Sequence, residues 1–153
     1  MHVFIHTQEL HKAGEKRMGT DEVAFNRIFA SESIPQLKLT FEEYYKMTGH
    51  DIDKAIKNEM SGDVERAFLT IARFVKNQPG YFAERLYKAM KGMGTKDRTL
   101  IRNVVLRSEI DMRDIKIEFQ KIYSKTLESF VKGDLSGDYK RAVLCLIGDT
   151  HWK

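Results

Sequence analysis

Lys91-Gly92-Met93-Gly94-Thr95 has an earlier counterpart in Arg17-Met18-Gly19-Thr20, 75 residues before it. Asp134 stands 40 residues beyond Gly94, and Glu59 stands 40 beyond Gly19. The same offset of 75 pairs Arg27 with Arg102, Ser33 with Ser108, Glu43 with Glu118 and Lys57 with Lys132. It also pairs Ser61-Gly62-Asp63 with Ser136-Gly137-Asp138, and Arg66-Ala67 with Arg141-Ala142. Agreement at so many fixed positions identifies an internal duplication, so the chain is read as two copies of one unit, 1–76 and 77–153.

Each copy is all-α. Only Pro35 and Pro79 interrupt apolar residues that otherwise recur at helical spacing, and strand-like alternation is absent. Five helices are expected per unit. In the first, a helix from about 4 to 16 precedes the loop, and Thr20 caps the next, whose inner face holds Phe25, Ile28 and Phe29. Pro35 opens a third helix and Gly49 closes it. A short fourth helix ends near Glu59, and a fifth carries Ala67, Phe68, Ile71, Ala72 and Val75. Asn77-Gln78-Pro79-Gly80 reads as a linker, after which the order repeats. Thr95 is the expected cap of the second helix, with Leu100, Ile101, Val104 and Val105 on its inner face.

Composition narrows the class. With 42% hydrophobic residues in 153, the chain has enough apolar material for a real core. No apolar run approaches the roughly 18–20 residues that span a bilayer, and the first residues lack the pattern of a signal peptide. A net charge of +4, with both signs interspersed, modestly favours an anionic surface, phospholipid or nucleic acid, without identifying it; nucleic acid rests on this basicity alone and ranks third. Cys145 is the only cysteine, which excludes a disulfide within the chain, and its apolar neighbours predict a buried thiol.

The loops point to calcium. This ion takes six to eight oxygen ligands, accepts backbone carbonyls, and needs at least one carboxylate. Glycine permits the positive φ angles by which successive carbonyls converge. In the second copy the carbonyls of Met90, Gly92 and Gly94 with a bidentate Asp134 make five ligands. A position then remains for water or for a phosphate oxygen from outside. One carboxylate implies weak binding, with a Kd on the order of 10⁻⁴ to 10⁻³ M in the absence of lipid. Met18 and Met93 are the expected apolar loop tips, and Lys91 and Lys96 flank the second; apolar tip and basic flank suit contact with an anionic membrane.

Taken together, Tyr81 to Thr95, Arg107-Ser108-Glu109-Ile110-Asp111 and Lys132-Gly133-Asp134-Leu135-Ser136-Gly137-Asp138-Tyr139 resemble the fourth repeat of the annexin family. The first unit, through Ala13 to Thr20, resembles the third. The resemblance implies two five-helix annexin-type repeats packed as a right-handed helical array, and calcium-dependent binding to acidic phospholipid by a non-enzymatic, cytoplasmic protein that becomes peripheral to membranes when calcium rises. It places calcium ligands on Met90, Gly92, Gly94 and Asp134. For the first unit it implies Arg17, Gly19 and Glu59 with Gly14, or Glu15 in its place, because that loop is one residue longer. Glu32 departs from the family, standing where the second unit has Arg107. The family core has four repeats, so two are missing from this sequence; the faces they would cover imply either a longer protein or self-association.

Other readings fit less well. An EF-hand loop beginning at Asp51 or Asp134 would have Ile56 or Tyr139 where glycine is required. His2, His6 and His11 lack a further ligand for zinc, and no nucleophile with an adjacent base or phosphate-binding glycine motif is present. A calcium-independent helical interaction module is the main alternative.

Overall fold

The computed structural model describes residues 2–14 and 22–149. Arg17, Met18 and Gly19, and the expected cap Thr20, lie outside the described residues. Among the described residues the chain is ten helices with no strand, in two compact units, Met1–Lys76 and Asn77–Lys153.

The first unit contains α1 (His2–Gly14), α2 (Glu22–Ser31), α3 (Ile34–Thr48), α4 (Ile52–Glu59) and α5 (Gly62–Lys76). Ser33 caps α3 by accepting from the Gln36 N–H, and Pro35 occupies the first turn, where its missing N–H costs nothing. Gly49, at φ 71°, ends that helix. Phe25, Phe29, Phe41 and Phe68 form the centre of the core, with the Phe29 ring 4.9 Å from Phe68 and 5.3 Å from Phe41. Each such side chain contributes roughly 1.5–3 kcal/mol on full burial. The buried hydroxyl of Thr7 donates to the Val3 carbonyl at 2.8 Å, so its own burial leaves no unmade hydrogen bond.

The second unit repeats this order in α6 (Gln78–Met90), α7 (Asp97–Arg107), α8 (Met112–Tyr123), α9 (Leu127–Asp134) and α10 (Gly137–Leu146). Its core centres on Leu86, Leu100, Ile115, Phe119 and Leu127, with Tyr87 and Tyr123 stacked at 3.8 Å beside it. The duplication extends to the joints between helices. Met60 and Leu135 are both buried C-caps in extended conformation, and each is followed two residues later by a glycine at φ 64° or 59°. Asp51 and Thr126 are corresponding N-caps.

Several expected core and boundary positions are corrected. Asn77-Gln78-Pro79-Gly80 is not a linker: the Asn77 side chain accepts the Gly80 N–H at 2.9 Å, and α6 begins at Gln78. Ala67, Ile71, Ile101 and Val105 are exposed, while Leu69 and Leu144 are buried instead. The helical stripe on α5 and α7 is wider than the face that its own unit covers. Cys145 is exposed as well, because the buried stripe of α10 runs through Val143, Leu144 and Ile147.

The carboxylate of Glu32 has a polar neighbour in place. The Nε2 of His6 lies 3.0 Å from its carboxylate, and Glu9 pairs with Arg27 at 2.7 Å. Arg107 instead donates to Asp111 at 2.7 Å and stacks over the Phe82 ring, 4.5 Å from its centroid.

Ser124 takes the left-handed conformation, at φ 55°, that Gly49 adopts at the equivalent end of α3. A side chain pays for that conformation where glycine does not. Ser124→Gly is therefore expected to stabilise the chain by roughly 1 kcal/mol, read as a higher urea midpoint at unchanged slope.

Candidate metal centre

The second loop is built from two buried anchors. Met90 ends α6 with its side chain in the core, and Leu100 is fully buried one turn into α7. Between them the backbone must leave one helix and enter the next within a few residues. It does so through Gly92 at φ 141° and Gly94 at φ 86°, angles that residues with a Cβ rarely adopt. The loop closes on itself: the Lys91 N–H donates to the Tyr87 carbonyl at 2.8 Å, and the Lys96 N–H to the Ala89 carbonyl at 2.7 Å. Among the described residues, no donor is bonded to the carbonyls of Met90, Gly92 or Gly94.

Asp134 reaches this loop from the far end of the unit. It is the last residue of α9, and its neighbours Val131 and Leu135 are buried in the same cluster as Met90. The Lys132 ammonium pairs at 2.7 Å with the buried Asp149, whose own N–H donates to the Leu144 carbonyl, so the Lys132-Gly133-Asp134 segment is held against the final turn. The Asp134 Oδ2 accepts the Thr95 hydroxyl at 2.7 Å. Thr95 is not a helix cap, because Lys96 holds the N-cap position of α7, and Lys96 makes no side-chain capping bond. A groove of about 490 Å³ lies beside the acid, lined by Lys125, Ser129, Phe130, Gly133 and Asp134.

Tyr139, which sequence reasoning passed over, belongs to the same neighbourhood. Burial, then the charge of Asp97 and a loose hydrogen bond to its carboxylate, then the charge of Asp134 raise its phenol to about 12. Its oxygen is shielded from solvent without a hydrogen bond of good geometry. Met93 stands fully exposed at the loop tip, with Lys91 and Lys96 exposed on either side and the Lys91 ammonium 5.2 Å from the Tyr87 ring centroid.

The donor set suits a hard, oxygen-seeking cation: three carbonyls on a turn that glycine makes possible, and one carboxylate brought to it. Among the described residues no three His, Cys, Asp or Glu side chains gather as a metal-binding group, so a cation here would depend on backbone oxygen. In the first unit only part of the set is described. Gly14 ends α1, and Glu59 is the half-buried last residue of α4, the position that Asp134 takes in α9.

A five-helix unit used twice, with its oxygen donors divided between a glycine turn and a distant acid, defines a class of helical repeat protein. The annexin family model matches residues 6–71 and 81–146. Mouse annexin A4 is 52% identical over 141 residues, covering 92% of this chain and 44% of that protein. Mouse annexin A11 is also 52% identical over 141 residues, but the match is 28% of its length. Among solved structures, annexin III superposes with a TM-score of 0.89 at 47% identity over 95% of this chain and 46% of that one. The calcium-bound annexin (Sm)1 superposes with a TM-score of 0.86 at 35% identity, over 95% and 39% respectively. The chain belongs to the annexin family, whose members bind calcium and phospholipid, and it spans less than half the length of these relatives.

The neutral phenol of Tyr139 is favoured in the folded state, so its contribution is complete below the ordinary value of 10 and is lost as pH rises toward about 12. Tyr139→Phe is expected to remove one phenolate from the last part of the ultraviolet titration and to flatten the loss of stability over that window.

Proposed function

We propose that the chain binds calcium in the second-unit loop through the carbonyls of Met90, Gly92 and Gly94 and the carboxylate of Asp134, and that the ion joins the loop to the phosphate of an acidic phospholipid. The observation that carries this reading is the approach of Asp134 to the loop, 2.7 Å from Thr95 across 39 residues of sequence. Five protein oxygens leave coordination positions for a lipid phosphate, and binding should tighten when lipid is present. Met93 would enter the interface while Lys91 and Lys96 meet anionic headgroups. Membership of a calcium- and phospholipid-binding family supports the reading, as does the calcium seen in annexin (Sm)1. A second calcium site on Gly14, Arg17, Gly19 and Glu59, with Met18 at its tip, follows from the duplication. The two units correspond on this reading to third and fourth annexin repeats, in a cytoplasmic protein recruited peripherally to membranes.

Co-sedimentation with phosphatidylserine vesicles tests the bridge. Pelleting should require calcium, fall strongly in Asp134→Ala, and fall further when Glu59→Ala is added. Equal pelleting in calcium and in excess chelator sinks the mechanism.

One observation favours a different role. Ile101, Val105, Leu106 and Ile110 are all exposed, at 46, 53, 61 and 69%, on and just beyond α7. Exposed apolar side chains of this number suit protein contact without calcium, either self-association or the further length that the relatives carry. Sedimentation velocity over a wide concentration range should show self-association if a second copy covers those side chains; a monomer at every concentration counts against it.

A further inference from the structure

Thr95 stands two residues before the first residue of α7, next to the position from which a threonine ordinarily satisfies free N–H groups of the first turn. Here it does not. Lys96 takes the N-cap position, and the Thr95 Oγ1 donates across the unit to the Asp134 Oδ2 at 2.7 Å. The carboxylate has few other means of keeping its direction. Gly133 precedes it without a side chain, and a Cβ built there would meet nothing within 4 Å. Leu135, which follows, turns into the core. Aspartate is also one methylene shorter than Glu59, its counterpart in the first unit, so an Asp134 turned toward solvent would fall further short of the loop.

We propose that Thr95 is a positioning residue for the cation site: its hydroxyl selects the orientation of Asp134 that faces the Gly92–Gly94 turn before any ion arrives. A carboxylate oxygen has more than one lone pair, so accepting the hydroxyl leaves both oxygens able to meet a cation. Thr95 is itself half-buried, and its backbone is fixed by the bond that the next residue, Lys96, makes to Ala89. The donor therefore cannot follow the acid outward. Groups that orient a metal ligand in this way commonly change affinity about 10- to 100-fold when removed. The inference rests on the calcium reading given above.

The test is calcium titration of the whole chain by calorimetry without lipid, beside thermal unfolding in chelator. Asp134→Ala identifies the heat that belongs to the second loop. Thr95→Val should weaken that component about tenfold, with only a small fall in the unfolding midpoint in chelator from the one hydrogen bond removed, since no helix cap is lost. Thr95→Ser, which keeps the hydroxyl, should restore wild-type affinity; a role in filling space alone would not be rescued in this way. If Thr95→Val binds as wild type does while Asp134→Ala loses the component, the positioning role is overturned and the calcium site stands. If Asp134→Ala changes nothing, the site itself is wrong and this inference falls with it. Should the valine variant unfold in chelator, Thr95→Ala decides by the same comparison, and wild-type affinity there overturns the proposal.

Discussion

The second unit depends on one constraint: Met90, Val131 and Leu135 are buried in a single cluster although they lie at the ends of helices far apart in sequence. Burying Met90 fixes where α6 stops, and the chain must then turn within the few residues before α7. Burying Val131 and Leu135 fixes where α9 stops, with Asp134 between them. Apolar packing thus sets the separation between a turn of backbone carbonyls and an acid before any polar contact contributes. The hydrogen bonds within the loop and from Thr95 refine a juxtaposition that the core has already made.

Much of this was legible in the sequence because it was written twice. The offset of 75 located both units, the order of helices and, in the second unit, the acid that meets the loop at Thr95. Helix periodicity identified Phe25, Ile28, Phe29, Leu100 and Val104 as interior. It failed where an apolar stripe is wider than the face one unit covers: Ile71, Ile101 and Val105 have the spacing of core residues and stand outside. Periodicity reports that a residue is apolar and on a given side. It does not report whether anything packs there.

The errors at polar positions have a different origin. Thr95 reads locally as a cap, yet α7 begins only at Asp97 with Lys96 as its N-cap, and the Thr95 hydroxyl donates instead to a carboxylate from α9. Asn77 followed by proline and glycine satisfies the rules for a linker, yet its side chain caps α6 and begins the unit directly. Tyr139 carried no signal at all, since its proximity to Asp97 and Asp134 exists only after α10 has packed. At Thr95 and Tyr139 a long-range contact decides the outcome; at Asn77 a local cap starts the helix where composition reads as a linker. Glu32 is the reverse case: a local departure from the repeat that His6, available only on α1, accommodates without altering the helix order.

The ion pair between Lys132 and Asp149 has a thermodynamic consequence. It ties the residue two places before Asp134 to a carboxylate that is itself hydrogen-bonded into the turn after α10. Opening of that final turn would therefore remove one of the contacts that hold the segment bearing the acid. Occupancy at the loop would be felt as slower amide exchange along the backbone from 144 to 149, in a segment that offers no ligand of its own.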